Sequence, residues 1–124
     1  MVSTKVSIVD ELGQALELIG PKWTLQIIQS LLGGPRRFTE IERSLGDANP
    51  KVITVRLREL VATGLVARTY YPEVPPRVEY ALTDRGRALR PAIDALARWG
   101  LRASNLRSTA RSAADHEIRR ARKS

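Results

Sequence analysis

The chain has no cysteine. That excludes disulfides, thiolate metal sites and thiol redox sensing in one step, and it suits a reducing compartment. Histidine occurs once, at His116, with Asp115 and Glu117 beside it in a basic stretch. A lone histidine there makes neither a metal site nor a catalytic base. Phenylalanine occurs once, and the aromatic residues Tyr70, Tyr71 and Tyr80 are too few and scattered to stack single-stranded bases. No apolar run is long enough to span a bilayer, and the start "MVSTKVSIVDELG" lacks a basic-then-apolar signal pattern. There is no Gly-rich phosphate loop and no nucleophile elbow. An enzyme has no convergent polar cluster to work with, and neither a cofactor nor a metal is expected. The expectation is a non-enzymatic cytoplasmic protein with no membrane association.

Cations are abundant. The 124 residues carry a net charge of +8, and only Lys5, Lys22, Lys51 and Lys123 are lysine. Such a balance favours polyanions, nucleic acid first. A chain of this length buries roughly two thirds of its unfolded surface, enough for a core without staples.

The periodicity predicts helices over Asp10–Gly20, with Asp10 as cap, and from Pro21 to the Gly33-Gly34-Pro35 stop. Thr39 followed by Glu42 reads as a capping box, starting a short helix that buries Ile41 and Leu45. After a Gly46-Asp47-Ala48 turn, Asn49 caps a further helix with Pro50 at its first position, ending near Thr63-Gly64. The period then changes to two. "LVARTYY" and "RVEYALT" read as strands joined by the proline-stiffened "PEVPP", a hairpin with a projecting tip. Thr83 caps a last helical region that Pro91 should kink or split. From about Asn105 the chain turns polar and basic, and frayed helix or disorder is expected. The domain assignment is therefore 1–104, with 105–124 as a basic tail. The order is a mainly α protein with a small β-hairpin wing: a winged helix-turn-helix with a three-helix core and flanking N- and C-terminal helices.

On a helical wheel of "NPKVITVRLREL", Ile53, Leu57 and Leu60 share one side, while Lys51, Thr54, Val55 and Arg58 share roughly the opposite one. Any surface helix has a solvated face. Here cations also occur at Arg36 and Arg37 before the short helix, at Arg43 on it, and at Arg77 at the end of the hairpin loop. That placement makes duplex DNA the expected partner. Arg36, Arg37, Arg43 and Lys51 would hold phosphates, with Thr39 and Asn49 at the two helix starts beside them. Thr54, Val55 and Arg58 would read bases, and Arg77 would brace the wing. Trp23 and Trp99 read as core or interface; Trp99, beside Leu96 on a helix with surplus apolar surface, reads as dimer interface. A winged helix that docks a protein and no longer reads DNA is the alternative; its signature would be an apolar or acidic recognition face.

The segments "ALELIGPKWTLQII", "LLGGPRRFTEIERSL", "NPKVITVRLRELVATGLVARTYYPEVPPRVEYALTDRGRAL" and "DALARWG" together resemble the HxlR-type family of bacterial transcription regulators, relatives of the MarR group. The resemblance runs from about Asp10 to Gly100. It implies a homodimeric winged-helix DNA-binding protein, a repressor more often than an activator. It also implies a recognition helix at Asn49–Thr63, a wing at Tyr71–Arg77, and dimerisation through the first and last helices, hence through Leu12, Leu16, Leu96 and Trp99. A small-molecule effector fits such a protein, although no residue pattern identifies one. Two departures stand out. Asp10 occupies the region where many members carry a cysteine, which some use to sense oxidants or electrophiles, and Val55 stands where relatives often have a polar residue.

Overall fold

The computed structural model describes residues 8–123; the N-terminal stretch before Ile8 and Ser124 lie outside it. The chain divides into two compact units with the boundary between Arg90 and Pro91.

The first unit opens with α1 (Ile8–Ile19). It begins ahead of Asp10, which lies in the first turn and is not the cap. Gly20 ends it by donating its N–H to the Leu16 carbonyl at 2.7 Å. The second helix differs from expectation. Pro21, Lys22 and Trp23 form a turn closed by the Thr24 N–H to the Pro21 carbonyl at 3.1 Å, and α2 runs Thr24–Leu31. Trp23 has φ 78°, left-handed, a conformation a bulky side chain rarely takes. Two contacts hold the turn: Lys22 Nζ lies 5.6 Å from the Trp23 ring centroid, and Arg56 Nε donates to the Lys22 carbonyl at 2.9 Å. α2 supplies the centre of the core, with Ile27, Ile28 and Leu31 buried.

α3 (Phe38–Leu45) and α4 (Pro50–Ala62) both pack on α2. Ile41 is buried; Leu45 is half-buried. α4 ends where the sequence predicts. Gly64 takes φ 78°, and Leu65 N–H returns to the Leu60 carbonyl at 2.9 Å, a left-handed helix stop that glycine alone adopts without strain.

The hairpin follows: β1 (Val66–Tyr71) pairs antiparallel with β2 (Arg77–Leu82), Val66 opposite Leu82 and Tyr71 opposite Arg77. The register puts Val66, Arg68 and Tyr70 on one face with Val78, Tyr80 and Leu82, and Ala67, Thr69 and Tyr71 on the other with Arg77, Glu79 and Ala81. Val66 and Leu82 anchor the base in the core; none of the three tyrosines is buried. Thr83 then caps α5 (Asp84–Arg87), its Oγ1 accepting the Gly86 N–H at 3.2 Å. A Cβ on Gly86 would lie 2.2 Å from the Leu65 carbonyl oxygen, so only glycine lets α5 sit against the hairpin base.

The helical region splits before Pro91, and α6 runs Arg90–Lys123 without a break. Pro91 falls in its first turn, where a missing N–H costs nothing. From Asn105, where frayed helix or disorder is expected, the chain is helical to Lys123. Ala103, Ala110, Ala113, Ala114 and Ala121, with leucine and arginine between them, are strong helix formers, and polarity alone does not oppose a helix.

Candidate nucleic-acid interface

The face begins between α2 and α3. Arg36 is fixed by its backbone, which exchanges hydrogen bonds with Tyr80 of β2: N–H to the Tyr80 carbonyl at 2.9 Å, and carbonyl from the Tyr80 N–H at 2.8 Å. This bridge joins the segment before α3 to the edge of the wing. Arg37, not Thr39, precedes the first residue of α3. The Glu40 carboxylate accepts the Arg37 backbone N–H at 3.0 Å, so the reciprocal half of the capping box lies two residues earlier than the Thr39–Glu42 spacing suggests. Thr39 is exposed in the first turn, and Arg43 is exposed further along α3. Arg36 and Arg43 line one shallow cleft together with Glu40 and Ser44.

α4 is positioned from behind and from its start. Asn49 Oδ1 accepts the Lys51 N–H at 2.8 Å, and Pro50 takes the first helical position. Ile53, Leu57 and Leu60 are each nearly fully buried, a burial that stabilises by about 1.5–3 kcal/mol per side chain. Arg56 adds a third restraint. Its Nε bond to the Lys22 carbonyl ties α4 to the α1–α2 turn, and its guanidinium also meets Glu59 at 3.4 Å. The role of Arg56 was not legible from α4 alone, because its partner lies 34 residues away.

With that underside fixed, Lys51 and Arg58 are exposed on the outer side, Val55 is 44 % exposed, and Thr54 is half-buried. Among the described residues, Arg36, Arg37, Arg43, Lys51 and Arg58 form no ion pair, so their charges are not neutralised within the chain. Thr54 is already engaged, its hydroxyl donating to the Pro50 carbonyl at 2.9 Å, which leaves the oxygen as an acceptor. Thr54, Arg58, Val61 and Ala62 form one wall of a cleft of about 470 Å³, whose other wall is Arg68 and Tyr80 from the hairpin. Arg68 is a member of this face that helical reasoning missed. The strand register, which places Arg68 opposite Tyr80, is the signal that finds it.

Arg77 stands apart from the other cations. Its guanidinium carbon is 4.1 Å from the Tyr71 ring centroid, one terminal nitrogen donates to Glu73 Oε1 at 3.0 Å, and the other lies 3.4 Å from Glu79 Oε1. It braces the wing, but from inside it. Elsewhere in the first unit, α1 leaves Leu12, Leu16 and Leu18 exposed; in the second, α6 leaves Leu96 and Trp99 exposed.

No helix among the described residues is long and apolar enough to cross a membrane. Residues 18–108 match the HxlR-like helix-turn-helix family. An uncharacterised HTH-type transcriptional regulator of Halalkalibacterium halodurans is 45 % identical over 94 residues, which are 75 % of this chain and 83 % of that one. One from Methanothermobacter thermautotrophicus is 45 % identical over 86 residues, 69 % of this chain and 66 % of its own length. Among solved structures, a MarR-family transcriptional regulator of Enterococcus faecalis superposes with a TM-score of 0.71 at 35 % identity, covering 87 % of this chain and 98 % of that one. The redox regulator HypR in its reduced form superposes with a TM-score of 0.74 at 34 % identity, covering 80 % and 98 %. The chain thus belongs to the HxlR-like helix-turn-helix family and is a transcriptional regulator of the helix-turn-helix type, related to the MarR group.

Proposed function

We propose that the protein is a sequence-specific double-stranded-DNA-binding repressor, acting in the cytoplasm as a homodimer on a pseudo-palindromic operator. The observation that carries this reading is α4 itself: three buried side chains hold the helix while the unpaired Lys51 and Arg58 and the apolar Val55 face outward. A helix so presented suits a major groove, where an arginine fork matches guanine O6 and N7 and an aliphatic side chain packs on a thymine methyl. Arg36, Arg37, Arg43 and Lys51, with Thr39 and Asn49 beside them, set the register on phosphates.

The homodimer is supported by the exposed apolar side chains of α1 and α6, among them Leu12 at 57 % and Trp99 at 66 %, surface of the kind a partner copy covers. A two-fold pair would place its recognition helices about 34–36 Å apart, one turn of B-form DNA. Thiol chemistry plays no part in regulation, since the chain has no cysteine. A small-molecule effector enters the reading only as a class. The cleft lined by Leu18, Ile19, Leu65, Arg85 and Leu89 has the mostly apolar lining with one charged group that such a site uses.

Selection of bound sequences from a random duplex pool by the purified protein tests this directly. The expected result is one enriched pseudo-palindrome with half-sites a helical turn apart. A pool that stays random after repeated rounds overturns the reading and favours a protein-docking winged helix.

A further inference from the structure

We infer that the wing meets the duplex through an uncharged apolar tip, Val74, and that Arg77 is a positioning residue locked inside the wing and not a phosphate contact. This rests on the DNA-binding reading above.

Tyr71 and Arg77 face each other across the two ends of the Pro72–Pro76 loop. The Arg77 guanidinium lies over the Tyr71 ring at 4.1 Å, donates to Glu73 at 3.0 Å and pairs with Glu79 at 3.4 Å. Its Nε is buried without a hydrogen-bond partner among the described residues, and the side chain is only 27 % exposed. Glu73 is held in turn by its own backbone, whose N–H donates to the Tyr71 carbonyl at 2.8 Å. One face of the guanidinium is therefore covered by a ring, one terminal nitrogen is hydrogen-bonded to Glu73, and the other is ion-paired with Glu79. A phosphate would have to break two ion pairs and approach two negative charges to reach it.

The charge balance of the whole wing agrees. Val66 to Leu82 contains two arginines, Arg68 and Arg77, and two glutamates, Glu73 and Glu79. Arg68 faces the α4 cleft, which leaves the tip side of the wing without free positive charge. What the tip does present is Val74, fully exposed at 100 %, with Pro72 and Glu73 before it and Pro75 and Pro76 after it, the Glu73 carboxylate being held by Arg77. Three prolines limit the conformations the loop can lose on binding. A stiff apolar tip of this kind suits the minor groove, where aliphatic side chains pack on sugar edges or wedge at base steps. It contributes by packing, not by counterion release.

The test measures binding of the full-length protein to a labelled random-sequence duplex across a salt series. Removing one lysine or arginine from a phosphate lowers the slope of log K against log salt by about 0.9. The double variant Arg77→Met/Glu79→Gln keeps the net charge. It should bind more weakly at every salt concentration with the parent's slope. Val74→Ser should weaken binding roughly fivefold with the slope unchanged, the scale of one or two methyl groups returned to water. A slope reduced by about 0.9 in the double variant makes Arg77 a phosphate contact and overturns the proposal; so does parental affinity in Val74→Ser. The second variant changes a fully exposed side chain, so the test stands even where the double variant loses its fold. Parent protein that shows no salt-dependent duplex binding refutes the DNA-binding reading itself, a separate outcome.

Discussion

Replacing Arg58 with alanine isolates the recognition chemistry from the fold. The side chain is exposed and makes no hydrogen bond or ion pair among the described residues, while its neighbours Leu57 and Leu60 supply the anchoring. Surface substitutions of this kind change stability by less than about 0.5 kcal/mol, so thermal melts of parent and variant should nearly coincide. Binding should not. A guanidinium that forks onto a guanine is worth about 1–3 kcal/mol of discrimination, which is roughly a five- to 150-fold loss on the selected operator. The same change should cost much less on random duplex, where only a diffuse positive charge is removed. Arg58→Lys sharpens the comparison. It keeps the charge and the salt slope, but a point ammonium cannot reproduce the planar fork, so it should recover random-duplex binding and little of the specific affinity. The assay is a titration of both variants against the operator and against a copy with the cognate guanine replaced. Arg58→Ala that binds the operator as tightly as the parent, with discrimination intact, would show that another side chain reads the base.

Lys51→Ala should lower the salt slope by about 0.9 on operator and random duplex alike, since a phosphate contact carries no sequence information; a loss confined to the operator would reassign it to base reading. Asn49→Ala should cost about 1 kcal/mol of folding stability by chemical denaturation, because the Lys51 N–H loses the acceptor it now reaches at 2.8 Å; Asn49→Gly should cost only a few tenths, since glycine leaves the cap backbone open to water, and equal costs would mean that the lost side-chain acceptor, common to both variants, is the whole effect. Thr24→Val should raise stability by about 1 kcal/mol: Thr24 is 1 % exposed and its Oγ1 has no hydrogen-bond partner among the described residues, so an apolar residue of the same shape removes a desolvation cost. A lower melting temperature in Thr24→Val would show that the hydroxyl is satisfied after all.

The helix α4 was legible because independent cues agree on it. Asn49 caps it, Pro50 opens it, the apolar spacing of Ile53, Leu57 and Leu60 gives its buried side, and Gly64 stops it. The hairpin was legible for the same reason, through alternation and a proline loop. Where a single cue stood alone, it misled. Pro21 suits the first position of a helix and the first position of a tight turn equally well, and the left-handed Trp23 that decides between them is fixed by Arg56, far along the chain. The Thr39–Glu42 spacing competes with an equivalent one at Arg37–Glu40, and the acceptor actually made is Glu40. Composition from Asn105 onward speaks to burial, not to helix propensity, so it gave no warning that α6 continues. The site divides along the same line. Exposure follows from position on a helix, and Lys51 and Arg58 could be placed from periodicity. Whether a charge is free depends on what stands within about 4 Å of it in space, and the sequence shows Arg77 only as one more cation. Its removal from the basic face needs the strand register that sets it across from Tyr71, and the tight loop that brings Glu73 back to it. The same register adds Arg68 to the face. A count of arginines therefore locates a DNA-binding surface only after those held by carboxylates of the same chain are set aside, and in this protein that shifts the positive charge off the wing and onto α3, α4 and the cleft between α4 and β1.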